Sequence, residues 1–445
     1  MFETLGTYPL IIIFSTTIII SYFFNVYSKK SGIPSVLLLI GLGIVINYVV
    51  RWFLGIPEKP NLMPILKVLG VVGLVLIVLE AALDLRLIKK KVKLIVKSFS
   101  VALLGLFGTA YLGALALDYL IGVEILHALL YTIPLSILSS AIILPSIGDL
   151  NEDKREFMVY ESTFSDIIGV IGFSAVLAMV DPEMSKSADL GKSALGGMAS
   201  NLVLTVIFSI IISYVLIYVF QKIKGHVKLF LLIAILLLLY AVGETFHLSS
   251  LVIIMIFGVI LNNYKVFFFG RLKKLLHVER VEEVLDDFKI ITAESAFVIR
   301  TFFFIIFGWS VYLGSLLYSK GELSFDVIGK GLVLLVVIYL VRAIVLFVFN
   351  GRDIIPRLFL APRGLITVLL FFYIPEEFSL GKEFQGVLLF VILGSCLIMT
   401  WSLVEHKNRL LRAAEVEEKE STLLDNDGVL ENDDSEKREQ ENDNN

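Results

Sequence analysis

The sequence has few of the residues that build disulfides, metal centres and hydrolytic sites. Its 445 residues include one cysteine and five histidines. The lone Cys396 excludes an intramolecular disulfide and a cysteine metal cluster, and the histidines show no metal-ligand spacing. No His-Glu-x-x-His, Gly-x-Ser-x-Gly or P-loop pattern occurs. We therefore expect neither an enzyme nor direct use of ATP, and we expect no cofactor.

Charge is also scarce, whereas apolar residues are abundant. Only 18% of residues are charged, 57% are hydrophobic, and the mean hydropathy is +0.87. A soluble protein of this length could not bury so much apolar surface, so the expected solvent and main partner is a lipid bilayer. Continuous apolar runs such as Leu231–Tyr240 predict spanning helices rather than the alternating strands of a barrel.

The apolar runs predict an all-α polytopic membrane protein with about 13 transmembrane helices. Prolines and glycines interrupt the fifth segment at Pro134 and Pro145, and the twelfth at Pro362 and Gly364. Interrupted helices seven places apart favour an inverted repeat that matches segments four to six with segments eleven to thirteen. The alternative is that proline and glycine are simply frequent in membrane helices. The segments centre near Thr16, Gly43, Val75, Gly105, Leu135, Gly169, Ile210, Leu237, Ile256, Phe304, Val336, Leu369 and Leu393.

Basic residues are concentrated in alternate loops, which predicts the orientation of the chain. The positive-inside rule places these loops in the cytoplasm of a plasma-membrane protein and the N-terminus outside. Residues 1–412 then form the membrane domain, and residues 413–445 form a disordered acidic tail in the cytoplasm. No nucleic-acid partner is expected. The basic clusters are Lys29–Lys30, Lys89–Lys91, Lys222–Lys224, Arg271–Lys274, Arg352–Arg357 and Lys407–Arg412.

Charged residues inside the apolar segments are informative because burying a charge in a bilayer is costly. Glu161 and Asp166 are five residues apart in one predicted helix, so they point about 140° apart and differ by roughly 7.5 Å along its axis. Separate partners are therefore expected, and a buried arginine suits Glu161. Ser162 shares a face with Asp166, and together they offer hard oxygen ligands to a small cation. An interhelical polar cluster is the alternative interpretation. The other such charges are Glu80, Asp84, Glu244, Glu294, Arg300, Arg342 and Arg363.

Four short patterns resemble the monovalent cation:proton antiporter superfamily, specifically its bacterial sodium/proton antiporters with 13 spans. The resemblance covers roughly residues 33–401 and implies a mobile core of about residues 91–181 and 326–406. It also implies a homodimer. The patterns are Glu161-Ser162 followed by Ser165-Asp166, the pair Arg363-Gly364, the stretch from Glu80 to Leu85, and Ile33-Pro34-Ser35.

The resemblance implies a role for each candidate residue. Asp166 would bind the cation and the proton in alternation. Ser162, Glu80 and a hydroxyl or carbonyl of the fifth segment, for which Ser136 fits best, would complete the cation shell beside Ser165. Glu161 would pair with Arg363, and Arg300 and Asp84 would be modulating charges.

The sequence also departs from the family pattern. Ser165 stands where the family has Asn or Asp, and a neutral residue there favours electroneutral exchange. The fifth segment lacks a Thr-Asp-Pro motif, and its Ser139-Ser140-Ala141 resembles the potassium-efflux branch. We therefore predict exchange of a monovalent cation, Na⁺ first and Li⁺ or K⁺ next, for H⁺. A potassium/proton exchanger and a non-transporting ion or pH sensor of the same fold remain alternatives, whereas the sparse charges argue against a channel.

Overall fold

The computed structural model describes residues 7–31, 33–54, 63–148, 150–180, 194–222, 228–246, 248–268, 276–310, 318–319, 322–323, 325–381 and 384–412. The regular secondary structure of this part of the chain is helical except for two short antiparallel strands, β1 (Tyr318–Ser319) and β2 (Glu322–Leu323). The predicted tail, residues 413–445, lies outside the described residues. The helices are α1 (Thr7–Ser31), α2 (Ser35–Leu54), α3 (Met63–Asp84), α4 (Val92–Ile121), α5 (Ile125–Ser136), α6 (Ser140–Ser146), α7 (Glu152–Val180), α8 (Ala194–Phe220), α9 (Lys228–Thr245), α10 (Ser250–Asn262), α11 (Tyr264–Phe267), α12 (Val278–Ser310), α13 (Asp326–Asn350), α14 (Leu365–Tyr373) and α15 (Phe384–Arg412). Two 3₁₀ turns, Lys89–Lys91 and Glu376–Phe378, complete the described helical structure.

The helices confirm the all-α polytopic class. Within the described residues, seven spans are long and apolar enough to cross a membrane, and shorter apolar helices accompany them. The predicted number of 13 stays a prediction. The seven are Val92–Ile121, Ile125–Ser146, Glu152–Val180, Val203–Phe220, Val278–Trp309, Asp326–Asn350 and Phe384–Arg412.

The helices pack as two groups. In the first, which we name the core bundle, α4 packs against α5, α7 and α13, and α14 and α15 complete the group. In the second, the scaffold, α3 packs against α10 and α12, α2 against α12, and α8 against α10, with α1 and α9 alongside. The core bundle lies within the residues that the family resemblance implies to be the mobile core, and its mobility stays a prediction. The segment between α3 and α4 connects the two groups.

The two predicted interruptions occur, and they cross each other. Helix α5 ends at Ser136 and α6 begins at Ser140, with extended backbone between them. The chain before α14 is also non-helical, and the Ser139 N–H donates to the Pro362 carbonyl at 3.0 Å. A Cβ atom at Gly364 would collide with the Ser139 side chain. Glycine therefore allows the two unwound segments to approach closely.

Hydrogen bonds and ion pairs connect the loop between α13 and α14 to the start of α7. Lys154 Nζ lies 2.6 Å from Asp353 Oδ1 and donates to the Ile355 carbonyl at 3.0 Å. The hydrogen bond from Lys154 lowers the pKa of Asp353 below its ordinary value. Asp353 also contacts Arg357 at 3.2 Å. We call this side of the molecule, which also carries Lys89–Lys91 before α4, the basic end.

Candidate ion-binding site

Helix α7 carries the polar residues of the candidate site into the middle of the core bundle. Glu161 and Asp166 are buried, with 1% and 2% of their surface exposed, and Ser162 is fully buried. Two acidic residues in the first turn, Glu152 and Asp153, suit the positive end of the helix dipole. The helix thus starts at the polar basic end and continues into an apolar interior.

Asp166 is a buried carboxylate without a hydrogen-bond partner among the described residues. The hydroxyl and backbone N–H of Ser140, at the start of α6, lie near enough to Asp166 to interact with its carboxylate. Glu80 of α3 interacts with the same carboxylate only electrostatically. Burial of an unsatisfied carboxylate is strongly unfavourable. A proton or a cation on Asp166 would remove that penalty, which is the behaviour required of an exchange site.

Glu161 has a different partner from the one that the family resemblance implied. Arg342 of α13 forms a bidentate ion pair with Glu161. Its Nη1 lies 2.7 Å from Oε1, and its Nη2 lies 3.2 Å from Oε2. The predicted pair with Arg363 is therefore wrong, although a buried arginine does neutralise Glu161. Arg342 also donates to the carbonyls of Arg357 and Leu358 at distances of 2.8 to 3.1 Å. The ion pair thus joins α7, α13 and the loop before α14.

Arg363 instead supports the crossing of the unwound segments. Its Nη1 donates to the Ser136 carbonyl at 2.9 Å, and its backbone N–H donates to Ser395 Oγ at 3.0 Å. The residue is 2% exposed. Because Ser136 is the last residue of α5, Arg363 satisfies a carbonyl that the helix interruption leaves free.

The three predicted serine ligands have distinct environments. The Ser136 hydroxyl donates to the Thr132 carbonyl at 2.6 Å, and the Ser162 hydroxyl donates to Val159 O at 3.3 Å. The Ser165 hydroxyl accepts the Leu138 N–H at 2.9 Å. The side chain of Ser165 is therefore directed at the unwound part of the fifth segment, where it satisfies a backbone donor.

Replacement of Ser165 with alanine is expected to destabilise the protein by about 1–3 kcal/mol, because the buried Leu138 N–H loses its acceptor. Thermal unfolding of the purified protein measures this loss. Ser162→Ala is the matched control, since its hydroxyl only adds a bond within its own helix. Equal stability of the two variants would contradict this role for Ser165.

A cavity of about 300 Å³ extends from the basic end toward the crossing. Glu80, Asp84 and Arg300 line it, together with Ala141, which follows Ser140 in α6. Arg300 Nη2 lies 3.7 Å from Glu80 Oε1, and its Nη1 donates to the Ala141 carbonyl at 3.4 Å. The cavity therefore brings water-accessible charges beside the helix that contacts Asp166.

Sequence reasoning did not assign two residues that the structure brings to the site. Ser140 lies beside Asp166, and Arg342 pairs with Glu161. Ser140 had a signal, because it lies between the two prolines of the fifth segment. Arg342 was recognised only as one of several intramembrane charges.

A helical bundle in which two interrupted segments cross beside a buried, unsatisfied carboxylate has the architecture of a secondary ion transporter. A sequence model of the family described as "Sodium/hydrogen exchanger, transmembrane" matches residues 13–405. The chain belongs to this family, within the monovalent cation:proton antiporter superfamily, and is a multi-pass membrane protein of cation/proton antiport. No curated protein matches the chain.

The fold is similar to that of a solved archaeal antiporter. A structure of the sodium proton antiporter MjNhaP1 from Methanocaldococcus jannaschii at pH 8 superposes with a TM-score of 0.66 at 16% identity, covering 89% of this chain and 97% of that one. A second structure of MjNhaP1, from an electron-microscopy map, gives a TM-score of 0.62 at 15% identity, covering 91% and 97% of the two chains. At these identities the likeness concerns the fold.

Proposed function

We propose that the protein exchanges Na⁺ for H⁺ by competition of the two ions for Asp166. The observation that carries this proposal is the buried carboxylate without a hydrogen-bond partner, located at the crossing of the interrupted segments. Either ion satisfies the carboxylate, and both cannot occupy it together. If only the two occupied forms cross the membrane, the two fluxes are coupled.

The oxygen atoms around Asp166 suit a small, hard cation. Ser140 is a polar neighbour of Asp166, and Ser162 lies one turn before Asp166 on the same helical face. Carboxylate and hydroxyl oxygens are ligands for hard cations. Glu80 adds negative charge and faces the cavity through which a cation would arrive. Na⁺ is the preferred ion because the matching family is described as a sodium/hydrogen exchanger and the solved relative, MjNhaP1, as a sodium proton antiporter.

The exchange cycle requires that Asp166 face the two sides of the membrane in turn. We assign this movement to the core bundle, which carries the site and contacts the scaffold through helices α3, α8 and α10. The basic end then lies in the cytoplasm of a plasma-membrane protein, in agreement with the positive-inside rule. The scaffold provides the contact of a homodimer, as the family resemblance implies.

The test is a transport assay with purified protein in liposomes that contain a pH-sensitive dye. A proton gradient is imposed, and Na⁺, Li⁺ or K⁺ is added outside at a series of pH values. Competition at one carboxylate predicts that the apparent KM for the cation rises about tenfold for each unit by which the pH is lowered, in the range where the carboxylate is protonated. The maximal rate stays the same when the cation is saturating.

Each result of this assay has a distinct meaning. Na⁺-driven dissipation with competitive pH dependence supports the proposal. Dissipation driven by K⁺ alone would replace it with a potassium/proton exchanger, for which the Ser139-Ser140-Ala141 sequence is the favouring feature. Absence of dissipation with every cation would reject transport and leave the sensor interpretation.

A further inference from the structure

A small polar cluster joins the core bundle to the scaffold at the end opposite to the basic end. The Tyr373 hydroxyl, at the C-terminus of α14, donates to Glu244 Oε1 at 2.7 Å. The Ser250 hydroxyl donates to the same oxygen at 2.9 Å, and the Tyr240 hydroxyl lies 3.2 Å from that of Tyr373. Tyr373 belongs to the core bundle, and the other three residues belong to the scaffold. This contact therefore has to break if the two groups separate at this end.

The cluster lies on the line from Asp166 to the opposite surface. Phe173 and Leu177 follow Asp166 by seven and eleven residues, so all three share one face of α7, and Phe173 is about 10 Å farther along the axis. Phe173 is 1% exposed and packs edge to face on Tyr373, with ring centroids 6.5 Å apart. Beyond it, a cavity of only about 40 Å³ separates α7 from Glu244. An apolar ring and then a hydrogen-bonded contact thus close this side.

The cavities at the two ends of the pathway differ in size, so the structure is open at the basic end and closed at the opposite end. The cavity at the basic end measures about 300 Å³, against about 40 Å³ at the opposite end. In the described structure, the donors to Glu244 are hydroxyl groups rather than an arginine or lysine. A carboxylate and hydroxyls exchange their mutual hydrogen bonds for water at small net cost, whereas a buried ion pair does not. This chemistry suits a contact that opens and closes.

We propose that Tyr373 and Glu244 form the gate that closes the exchange pathway at the end opposite to the basic end, with Phe173 as its apolar plug. This proposal rests on the proposed exchange function, since a gate is needed only if Asp166 changes sides. Opening would separate Tyr373 from Glu244 and expose the face of α7 that leads to Asp166. The freed Glu244 carboxylate would then face the arriving cation.

The test measures water access at both ends with single cysteines and a water-soluble maleimide. The background is Cys396→Ala, which removes the one native cysteine. Ser174→Cys reports on the small cavity, and Ser35→Cys reports on the cavity at the basic end. Tyr373→Phe is expected to raise the labelling rate of the first reporter about tenfold, the effect of removing one hydrogen bond to a carboxylate from the closed state. Labelling of the second reporter should fall, because opening one end closes the other.

Tyr131→Phe is the matched control. Tyr131 is also a core-bundle tyrosine near this end, but its hydroxyl bonds to Phe378 O and to the Leu380 N–H, both within the core bundle. It should leave both labelling rates unchanged. Glu244→Ala provides a second variant in which the gate lacks its acceptor, and it should reproduce the effect of Tyr373→Phe.

The labelling experiment is performed with and without Asp166→Asn, so that its result does not depend on transport. Unchanged labelling in both gate variants would overturn the proposal. A simultaneous rise at both reporters would also overturn it, because that pattern indicates a loosened bundle rather than an opened gate. If the liposome assay shows no exchange but the labelling rates change as expected, the proposed exchange function is rejected, whereas the labelling still shows that this contact opens and closes.

Discussion

Replacement of Asp166 with asparagine is expected to abolish cation-driven proton movement and to leave the fold intact. Asparagine has nearly the same shape as aspartate but neither binds nor releases a proton, and it offers no net charge to a cation. The native carboxylate has no hydrogen-bond partner in the described structure, and the Ser140 hydroxyl and N–H beside it can donate to the amide oxygen that asparagine keeps. The substitution also removes a buried charge, which is costly when unpaired. The melting temperature of the variant should therefore equal or exceed that of the wild type.

The measurement combines the liposome assay with thermal unfolding of the same preparation. Asp118→Asn is the matched control, because Asp118 is an exposed aspartate near the end of α4 in the same bundle. This control should transport normally. Exchange that persists in the Asp166 variant would reject competition at this residue, and a large fall in its melting temperature would assign the carboxylate a structural role instead.

The fold was predictable to the extent that hydropathy and helix breakers determine it. Apolar runs predicted the helices, and Pro134 with the following serines located the break between α5 and α6. Burial of an intramembrane charge is costly enough that Glu161 and Asp166 could be selected from the sequence alone. Helical geometry also predicted that the two carboxylates have separate environments, because they lie on different faces of α7.

The partners of these carboxylates depend on contacts between distant segments, which the sequence does not specify. Several arginines lie in or near the late segments, and the path of the loop before α14 decides which one reaches Glu161. Arg363 is adjacent to the crossing and bonds to Ser136 O, so Arg342 is left to form the ion pair. The contact of Ser165 also depends on a distant segment. Ser165 lies about 100° around the helix from Asp166, and that face meets Leu138 of the unwound segment.

Replacement of Arg342 with methionine is expected to destabilise the protein by about 3–5 kcal/mol, the range observed when one partner of a buried ion pair is removed. The variant leaves the Glu161 carboxylate, 1% exposed, without its counter-charge. It also removes the donor to the carbonyls of Arg357, Leu358 and Leu360. Denaturant titration of the purified protein in detergent measures the free energy of unfolding.

The double variant Glu161→Met with Arg342→Met separates the loss of the counter-charge from the loss of the donor to the loop carbonyls. Removing both charges eliminates the unpaired carboxylate, so part of the stability should return, while the carbonyls of the loop before α14 stay unsatisfied and prevent full recovery. Glu161→Met combined with Arg363→Met is the matched comparison. Arg363 bonds to a carbonyl rather than to Glu161, so these two effects should be nearly additive. Rescue of the Arg363 variant instead of the Arg342 variant would contradict the ion pair, because only the true partner of Glu161 is coupled to it.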